Sequence, residues 1–176
     1  MTAAIDQRLA DVDWLVLDVD GVLTDGRVIY SDRGAEVQAF DVRDGTGLAL
    51  WRKAGKHAAA ITGRGSEALR RRAEELGLHP VIEKSADKGA SFAKLIGEHK
   101  IDPARVIAMG DDLPDLPVLR RAGVGVAVAD ACPELREAAD IVTIAPGGRG
   151  AVREVVERVL KAQGRWSDLV AAFNKV

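Results

Sequence analysis

Carboxylates follow two apolar runs of this sequence, at the points where strands are expected to end. Asp18 and Asp20 come directly after the run 14–17, and Asp111 follows the run 106–109 and a glycine. The carboxyl ends of parallel strands meet at one edge of a sheet, and ligands bind there in open α/β folds. Carboxylates gathered at such an edge repel one another unless a cation neutralises them, and hard oxygen ligands favour Mg²⁺. The sequence therefore predicts a magnesium site that includes Asp18 and Asp111.

The spacing of Asp18 and Asp20 suits two different roles in phosphate chemistry. Because the two residues have the same strand parity, both side chains can project toward the same side. Asp18 can attack phosphorus as a nucleophile and give an aspartyl-phosphate. Asp20 can protonate the leaving alkoxide and later activate water. Taken alone, the pair could also be ordinary polar residues that end a strand.

Two further residues could hold the phosphoryl group. Thr62 follows the apolar run 58–61, so its hydroxyl and nearby backbone N–H groups can bind phosphate oxygens. Lys88 begins a predicted helix, where an ammonium can offset the charge that develops in the transition state. The alternatives are a simple turn at Thr62 and a solvated lysine at position 88, and Lys84 is a nearby rival for the lysine's role.

Two acidic residues that follow Asp111 could support the metal ligands without binding the ion. Asp112 and Asp115 are close enough in sequence to orient the metal ligands without binding the ion themselves. For Asp115 the alternative is a helix N-cap, and the sequence leaves both interpretations open.

The elements that must position these residues alternate between short apolar runs and amphipathic stretches. We expect strands at 14–17, 58–61, 81–82, 106–109, 124–128 and 141–142. We expect helices at 44–54 after an Asp44 cap, from a Ser66 cap to Gly77, and at 88–98, 118–122 and 150–162. Runs 27–30 and 36–40 flank a polar turn and predict a β-hairpin. The expected fold is α/β, with a three-layer Rossmann-like parallel sheet and a hairpin after strand 1.

Composition narrows the class of protein. The chain has 176 residues, 47% of them hydrophobic, which fits a single domain over 1–176 with no cap domain and a tail at about 164–176. A net charge of −2 gives no reason to expect nucleic acid or an anionic membrane as a partner. There is no apolar run of about 20 residues and no signal-like start. With one cysteine, no internal disulfide can form, so we expect a cytoplasmic protein.

The motifs together resemble those of the haloacid dehalogenase superfamily of phosphatases. The matching pieces occur in order at 18–24, 62–64, 88 and 110–115. Four further segments resemble the 3-deoxy-D-manno-octulosonate 8-phosphate phosphatase family, and the resemblance runs from about Val12 to Gly164. They are 18–26, 40–45, 126–131 and 147–154. Such enzymes hydrolyse an eight-carbon sugar-acid phosphate on the route to lipopolysaccharide.

The resemblance implies a role for each motif residue. Asp18 would be the nucleophile and a metal ligand. Asp20 would be the acid/base, with its backbone carbonyl on Mg²⁺. Asp111 would complete the protein's metal ligands, and Thr62 and Lys88 would bind the phosphoryl group. One departure is Lys84, which stands where family members often have glycine.

The resemblance also implies an assembly and a substrate surface. The family lacks a large cap and forms homotetramers through the hairpin, here about 27–40, so that a neighbouring subunit helps to cover each site. The substrate carries a carboxylate, which arginine can pair with two parallel hydrogen bonds. Arg43, Arg64 and Arg149 are the candidates, together with the backbone at Gly63.

Three alternatives share these motifs. The first is a phosphatase for a nine-carbon nonulosonate 9-phosphate, which the catalytic residues do not distinguish. The second is a non-catalytic tetramerisation module, which the complete motif set disfavours. The third is a phosphotransferase or phosphomutase, which usually needs a cap to exclude water, and this chain has no segment long enough for one.

Overall fold

The computed structural model describes residues 2–34 and 36–174. Its strands are β1 (Trp14–Leu17), β2 (Ile29–Tyr30), β3 (Glu36–Val37), β4 (His57–Ile61), β5 (Val81–Ile82), β6 (Val106–Gly110), β7 (Val124–Ala127) and β8 (Ile141–Val142). Its α-helices are α1 (Thr2–Ala10), α2 (Val42–Lys53), α3 (Glu67–Leu76), α4 (Lys88–His99), α5 (Leu116–Leu119), α6 (Pro133–Ala138), α7 (Ala151–Ala162) and α8 (Trp166–Ala171). Short 3₁₀ turns lie at Pro103–Arg105, Leu113–Asp115 and Ala172–Asn174.

Six parallel strands form the central sheet in the order β5-β4-β1-β6-β7-β8. The chain moves outward from β1 to β5 and then returns to the other side of β1 at β6, so the strand order reverses at β1. Right-handed crossovers therefore place α2 and α3 on one face and α4 and α5 on the other. Helix α7 packs with α2, and α1 packs with α7, which makes three layers. The predicted fold class is confirmed.

Strand β1 is the centre of this sheet. Its residues are apolar in succession because helices cover both faces, and Leu15 and Leu17 are fully buried. Leu17 lies opposite Ala60 of β4 and Met109 of β6. The residues that follow β1 therefore leave the sheet beside the ends of both neighbouring strands.

The hairpin forms a separate two-stranded sheet from β2 and β3. Its paired strands are shorter than the predicted runs 27–30 and 36–40, with Ile29 opposite Val37 and Tyr30 opposite Glu36. Ala35 of the predicted hairpin lies outside the described residues, as do Met1, Lys175 and Val176 of the predicted single domain.

The helix limits follow their caps. The hydroxyl of Ser66 accepts a hydrogen bond from the backbone N–H of Leu69 at 2.9 Å, and Gly77 ends α3 in the left-handed region at φ 68°. Both limits agree with the sequence prediction. The helix predicted at 118–122 lies at Leu116–Leu119 instead, where Pro114 and Pro117 favour an early start.

Three helices were not expected from the sequence. Helix α1 precedes the first strand, α6 follows β7, and α8 lies in the predicted tail. Each is short or weakly amphipathic, so the apolar periodicity that predicts a helix is faint in these segments. None of the helices in the described part of the chain is long and apolar enough to cross a membrane.

The predicted cap at Asp44 is wrong, because Asp41 is the N-cap of α2. Asp41 has an extended backbone and accepts a hydrogen bond from the backbone N–H of Arg43 at 2.7 Å. Asp44 lies inside the first turn and is buried. Its carboxylate accepts hydrogen bonds from the backbone N–H groups of Gly150 at 3.2 Å and Arg153 at 2.8 Å. Helix α7 begins after Gly150, which has no side chain, so Asp44 caps α7 from another helix.

The capping by Asp44 predicts a measurable stability effect. Asp44→Ala leaves two backbone N–H groups at the start of α7 without their carboxylate acceptor. We expect the free energy of unfolding to fall by about 1–3 kcal/mol in urea titrations. The exposed Asp11→Asn is the control and should change stability by less than about 0.5 kcal/mol. Equal stability of Asp44→Ala and the control would contradict the cap.

Candidate active site

Three neighbouring strand ends supply the polar residues that the sequence singled out. Asp18 follows β1, and its backbone N–H donates to the carbonyl of Met109 at 3.0 Å. Thr62 follows β4, and its backbone N–H donates to the carbonyl of Ile82 at 2.9 Å. Asp111 follows β6. The parallel register therefore brings the three motifs to one edge of the sheet, as predicted.

Lys88 joins two of the carboxylates at this edge. Its Nζ lies 2.7 Å from Oδ1 of Asp18 and 2.7 Å from Oδ1 of Asp115. Lys88 is the first residue of α4, and Asp87 caps that helix by accepting from the N–H of Ala90. Burial lowers the pKa of Lys88, but Asp18 and Asp115 raise it by more, so the net shift is upward. The ammonium therefore stays charged inside the protein.

A cluster of three carboxylates surrounds this ammonium. One oxygen of each of Asp18, Asp111 and Asp115 lies within 4.8 Å of the other two. Burial, with Asp115 adding to it, raises the pKa of Asp18 well above its usual range despite Lys88. Burial also raises the pKa of Asp111 to about 6. Without another cation, the site therefore disfavours its own ionised form.

The donor set of this cluster fits a divalent cation. Three carboxylates beside one ammonium leave a formal charge of −2, which a divalent ion would balance, and hard oxygen donors suit Mg²⁺.

The close approach of the segment after β1 to Asp111 requires a glycine at position 21. A Cβ on Gly21, where φ is +101°, would lie 2.1 Å from Oδ2 of Asp111. The segment after β1 can thus bring its backbone against the carboxylate of Asp111.

Asp115 lies deeper in the site than the sequence indicated. Besides meeting Lys88, its carboxylate accepts hydrogen bonds from the backbone N–H groups of Asp111 at 3.2 Å and Asp112 at 3.4 Å. Asp112 is the N-cap of the short 3₁₀ turn, and Asp115 is its partner in a capping box. Asp115 therefore contacts the backbone of a candidate ligand while its own oxygen joins the acidic cluster.

The carboxylate of Asp20 points to a different set of partners. Its Oδ2 accepts from the hydroxyl of Thr62 at 3.0 Å, and its Oδ1 accepts from Nε2 of Gln38 at 3.2 Å. Thr62 is fully buried and accepts in turn from the backbone N–H of Arg64 at 3.0 Å. Sequence reasoning missed Gln38, because no local pattern links a hairpin residue to Asp20.

The candidate substrate-binding residues separate into two groups. Arg43 pairs with Asp41 at 2.6 Å and donates to the carbonyl of Arg149 at 2.7 Å. Both arginines line a cavity of about 380 Å³ between the end of the hairpin and the turn before α7. Arg64 instead pairs with Glu36 of β3 at 3.0 Å. The structure therefore brings Arg43 and Arg149 together and places Arg64 against the hairpin.

Arg64 also makes hydrogen bonds to the hairpin that favour its charged form. Hydrogen bonds to the Tyr30 oxygen and to Glu36 raise the pKa of Arg64 above its usual value. Gly63 lies just before Arg64 in the loop, where an added Cβ would make only an ordinary van der Waals contact.

Lys84 is exposed with φ at 54°, a left-handed conformation that costs a lysine about 1–2 kcal/mol. Its backbone N–H donates to the carbonyl of Arg64 at 2.9 Å.

A second groove lies away from the cluster of Asp18, Asp111 and Asp115. A groove of about 760 Å³ runs along α7, and residues that line it include Asp6, Arg43, Arg149, Arg153 and Lys161. The acidic cluster instead lies at the edge of the sheet where β1 and β6 end.

Comparisons with known proteins show the family of this chain. Residues 75–150 match the family described as haloacid dehalogenase-like hydrolase. The 3-deoxy-D-manno-octulosonate 8-phosphate phosphatase of Yersinia pestis is 42% identical over 159 residues, which cover 90% of this chain and 85% of that protein.

Solved structures give the same result. The 3-deoxy-D-manno-octulosonate 8-phosphate phosphatase of Moraxella catarrhalis, in complex with magnesium ion, phosphate ion and a KDO molecule, is 40% identical with a TM-score of 0.96. That match covers 98% of this chain and 99% of the other. A cobalt-bound deoxy-D-mannose-octulosonate 8-phosphate phosphatase of Haemophilus influenzae is 36% identical with a TM-score of 0.90, over 96% of this chain and 100% of the other. This chain belongs to the 3-deoxy-D-manno-octulosonate 8-phosphate phosphatase family.

Proposed function

We propose that this chain is a Mg²⁺-dependent phosphomonoesterase that hydrolyses 3-deoxy-D-manno-octulosonate 8-phosphate to the free sugar acid and phosphate, a step in making lipopolysaccharide precursors. The observation that carries this proposal is the buried Lys88 between Asp18 and Asp115 in an acidic cluster at the strand ends. Similarity to phosphatases of this name extends over nearly the whole chain.

The proposed reaction has two steps. A carboxylate oxygen of Asp18 attacks phosphorus, the bond from phosphorus to the sugar oxygen breaks, and Asp20 donates a proton to that oxygen. Asp20 then removes a proton from water, which attacks the aspartyl-phosphate. Phosphate leaves, and the carboxylate of Asp18 is restored. Lys88 is already in contact with Asp18 and can meet the phosphoryl oxygens without a large movement.

The side chains of Asp18 and Asp111 and the backbone carbonyl of Asp20 would hold the metal ion. Bound there, Mg²⁺ supplies positive charge to the phosphoryl oxygens and balances the acidic cluster. Thr62 and Lys88 would bind the phosphoryl group. Asp112 and Asp115 would support the ligands through the hydrogen bonds of the 3₁₀ turn.

We assign the sugar-acid end of the substrate to Arg43 and Arg149, together with Gly63 and Arg64 in the loop after β4. Arg43 and Arg149 line one cavity, and a guanidinium suits a substrate carboxylate. The contact of Arg64 with Glu36 supports a shared role, in which the arginine fixes the hairpin beside the substrate.

We also propose a homotetramer assembled through the hairpin. The side chains of Val28, Ile29, Tyr30 and Val37 are 44–64% exposed, although all four are apolar or aromatic. A hairpin of this size needs a surface to pack against, and a neighbouring subunit would supply it while excluding water from the open site.

We also propose a cytoplasmic location, with which the single cysteine of the chain is in keeping.

Substrate preference tests the proposed function directly. With Mg²⁺, phosphate release should show a higher kcat/KM for 3-deoxy-D-manno-octulosonate 8-phosphate than for a nonulosonate 9-phosphate or hexose phosphates. Asp18→Asn should lower kcat by about 10³-fold or more, since it removes the nucleophile and keeps the shape. Asp11→Asn is the control and should match the unsubstituted protein. Preference for the nonulosonate would keep the chemistry and change the substrate, whereas no turnover at all would favour a purely structural module.

Metal binding should appear as a stability effect that needs no substrate. Mg²⁺ at about 100 times its dissociation constant should raise Tm by about 5–10 °C, because it binds only the folded chain. Asp111→Asn should abolish this rise. Without metal, the same variant should be at least as stable as the unsubstituted protein, because it removes one of three crowded carboxylates. An unchanged Mg²⁺ response in Asp111→Asn would remove Asp111 from the metal site.

Oligomeric state tests the hairpin surface. Ile29 lies opposite Val37, so Ile29→Lys with Val37→Glu places a charge pair across the hairpin and preserves it while making the surface polar. We expect light scattering to show a smaller assembly than for the unsubstituted protein. Ile144→Lys changes another exposed isoleucine outside the hairpin and serves as the matched control. A tetramer in both variants would place the interface elsewhere.

A further inference from the structure

The amide of Gln38 connects the hairpin to the carboxylate of Asp20. Gln38 follows β3 and is half-buried, and its Nε2 donates to Oδ1 of Asp20 at 3.2 Å. At its other end, Oε1 accepts from the hydroxyl of Ser66 at 2.5 Å. One side chain therefore spans the distance from the start of α3 to Asp20.

The backbone N–H of Leu69 fixes the direction of the hydrogen bonds that run from Ser66 through Gln38 to Asp20. The Ser66 hydroxyl accepts from the N–H of Leu69 as the cap of α3, so it has its own hydrogen to donate to Oε1 of Gln38. The Gln38 amide must then turn its NH₂ group toward Asp20, whose Oδ1 accepts the hydrogen bond. The two ends of the amide thus require the same orientation.

The second oxygen of Asp20 is held in the same way. Thr62 accepts from the backbone N–H of Arg64 and donates its hydroxyl hydrogen to Oδ2 of Asp20. Each carboxylate oxygen therefore has one donor, and the two donors come from different parts of the chain. Two such hydrogen bonds fix both the position of a carboxylate and the rotation of its plane.

We propose that Gln38 is a positioning residue for Asp20, which holds the carboxyl group in the orientation needed to pass a proton to the leaving sugar oxygen. This inference rests on the proposed acid/base role of Asp20 and adds a residue from the hairpin to the catalytic arrangement. Asp20 touches the substrate, and Gln38 acts through it. Arg64 completes the connection, because it pairs with Glu36 in the strand that precedes Gln38.

The effect of Gln38 depends on the leaving group. A sugar alkoxide is a poor leaving group, so its departure needs a well-placed proton donor. The 4-nitrophenolate ion leaves without one. Loss of the Gln38 hydrogen bond should therefore slow the sugar phosphate much more than 4-nitrophenyl phosphate. A residue that only held the hairpin in place would affect both substrates alike.

The test compares kcat/KM for the two substrates in the full-length protein with Mg²⁺, since this parameter includes leaving-group departure and not the later hydrolysis. Gln38→Met keeps the length and removes the donor. We expect about a 10–100-fold loss for 3-deoxy-D-manno-octulosonate 8-phosphate and less than about a 3-fold loss for 4-nitrophenyl phosphate. Asp32→Asn, in the exposed turn of the hairpin, should leave the ratio of the two values unchanged.

A second variant keeps the test independent of changes at Gln38 itself. Ser66→Gly removes the hydroxyl that orients the amide, and glycine still caps a helix at a cost of a few tenths of a kcal/mol. It should shift the substrate ratio in the same direction as Gln38→Met and by less. Equal losses for both substrates in either variant, or no loss, would overturn the positioning role. Absence of turnover by the unsubstituted protein would instead overturn the proposed function.

Discussion

The ion pair between Lys88 and the end of β1 is the contact on which the site depends. A lysine at the first position of a helix opposes the helix dipole, yet here its ammonium is buried between Asp18 and Asp115. A buried ion pair of this kind adds little net stability, because desolvation offsets most of the attraction. It does fix geometry, since only one placement of α4 against β1 and the 3₁₀ turn satisfies all three charges. The fold thus specifies the site through charge pairing as much as through packing.

The same edge of the sheet is unfavourable for the protein without its cation. The pKa of both Asp18 and Asp111 is raised, with burial as the largest cause in each case. The apolar sheet below, in which Leu17 and Met109 are buried beside the site, supplies the stability that tolerates this crowding. Active sites commonly concentrate such unfavourable groups, because chemistry needs them and a rigid core can hold them.

Sequence patterns predicted the parts of the molecule that are local. The strand ends at Asp18, Thr62 and Asp111 follow apolar runs, so both the fold class and the meeting of these residues could be expected. Contacts between distant segments could not be read in this way. Asp44 caps α7, and Gln38 donates a hydrogen bond to Asp20. Each of these contacts joins two segments that no sequence pattern links. The proposed roles of the site residues, and the single domain over 1–176, remain predictions.

The capping of α7 by Asp44 also bears on how the chain folds as it leaves the ribosome. The carboxylate of Asp44 is synthesised 109 residues before Arg153, whose backbone N–H donates a hydrogen bond to it. Central strand β1 likewise waits for β6 to cover one of its edges. A nascent chain therefore exposes Asp18 and Asp20 long before Asp111 exists, and it cannot assemble the acidic cluster. Folding and the ability to hold a metal ion consequently arrive together, late in translation, and incomplete chains are left as targets for chaperones and proteases.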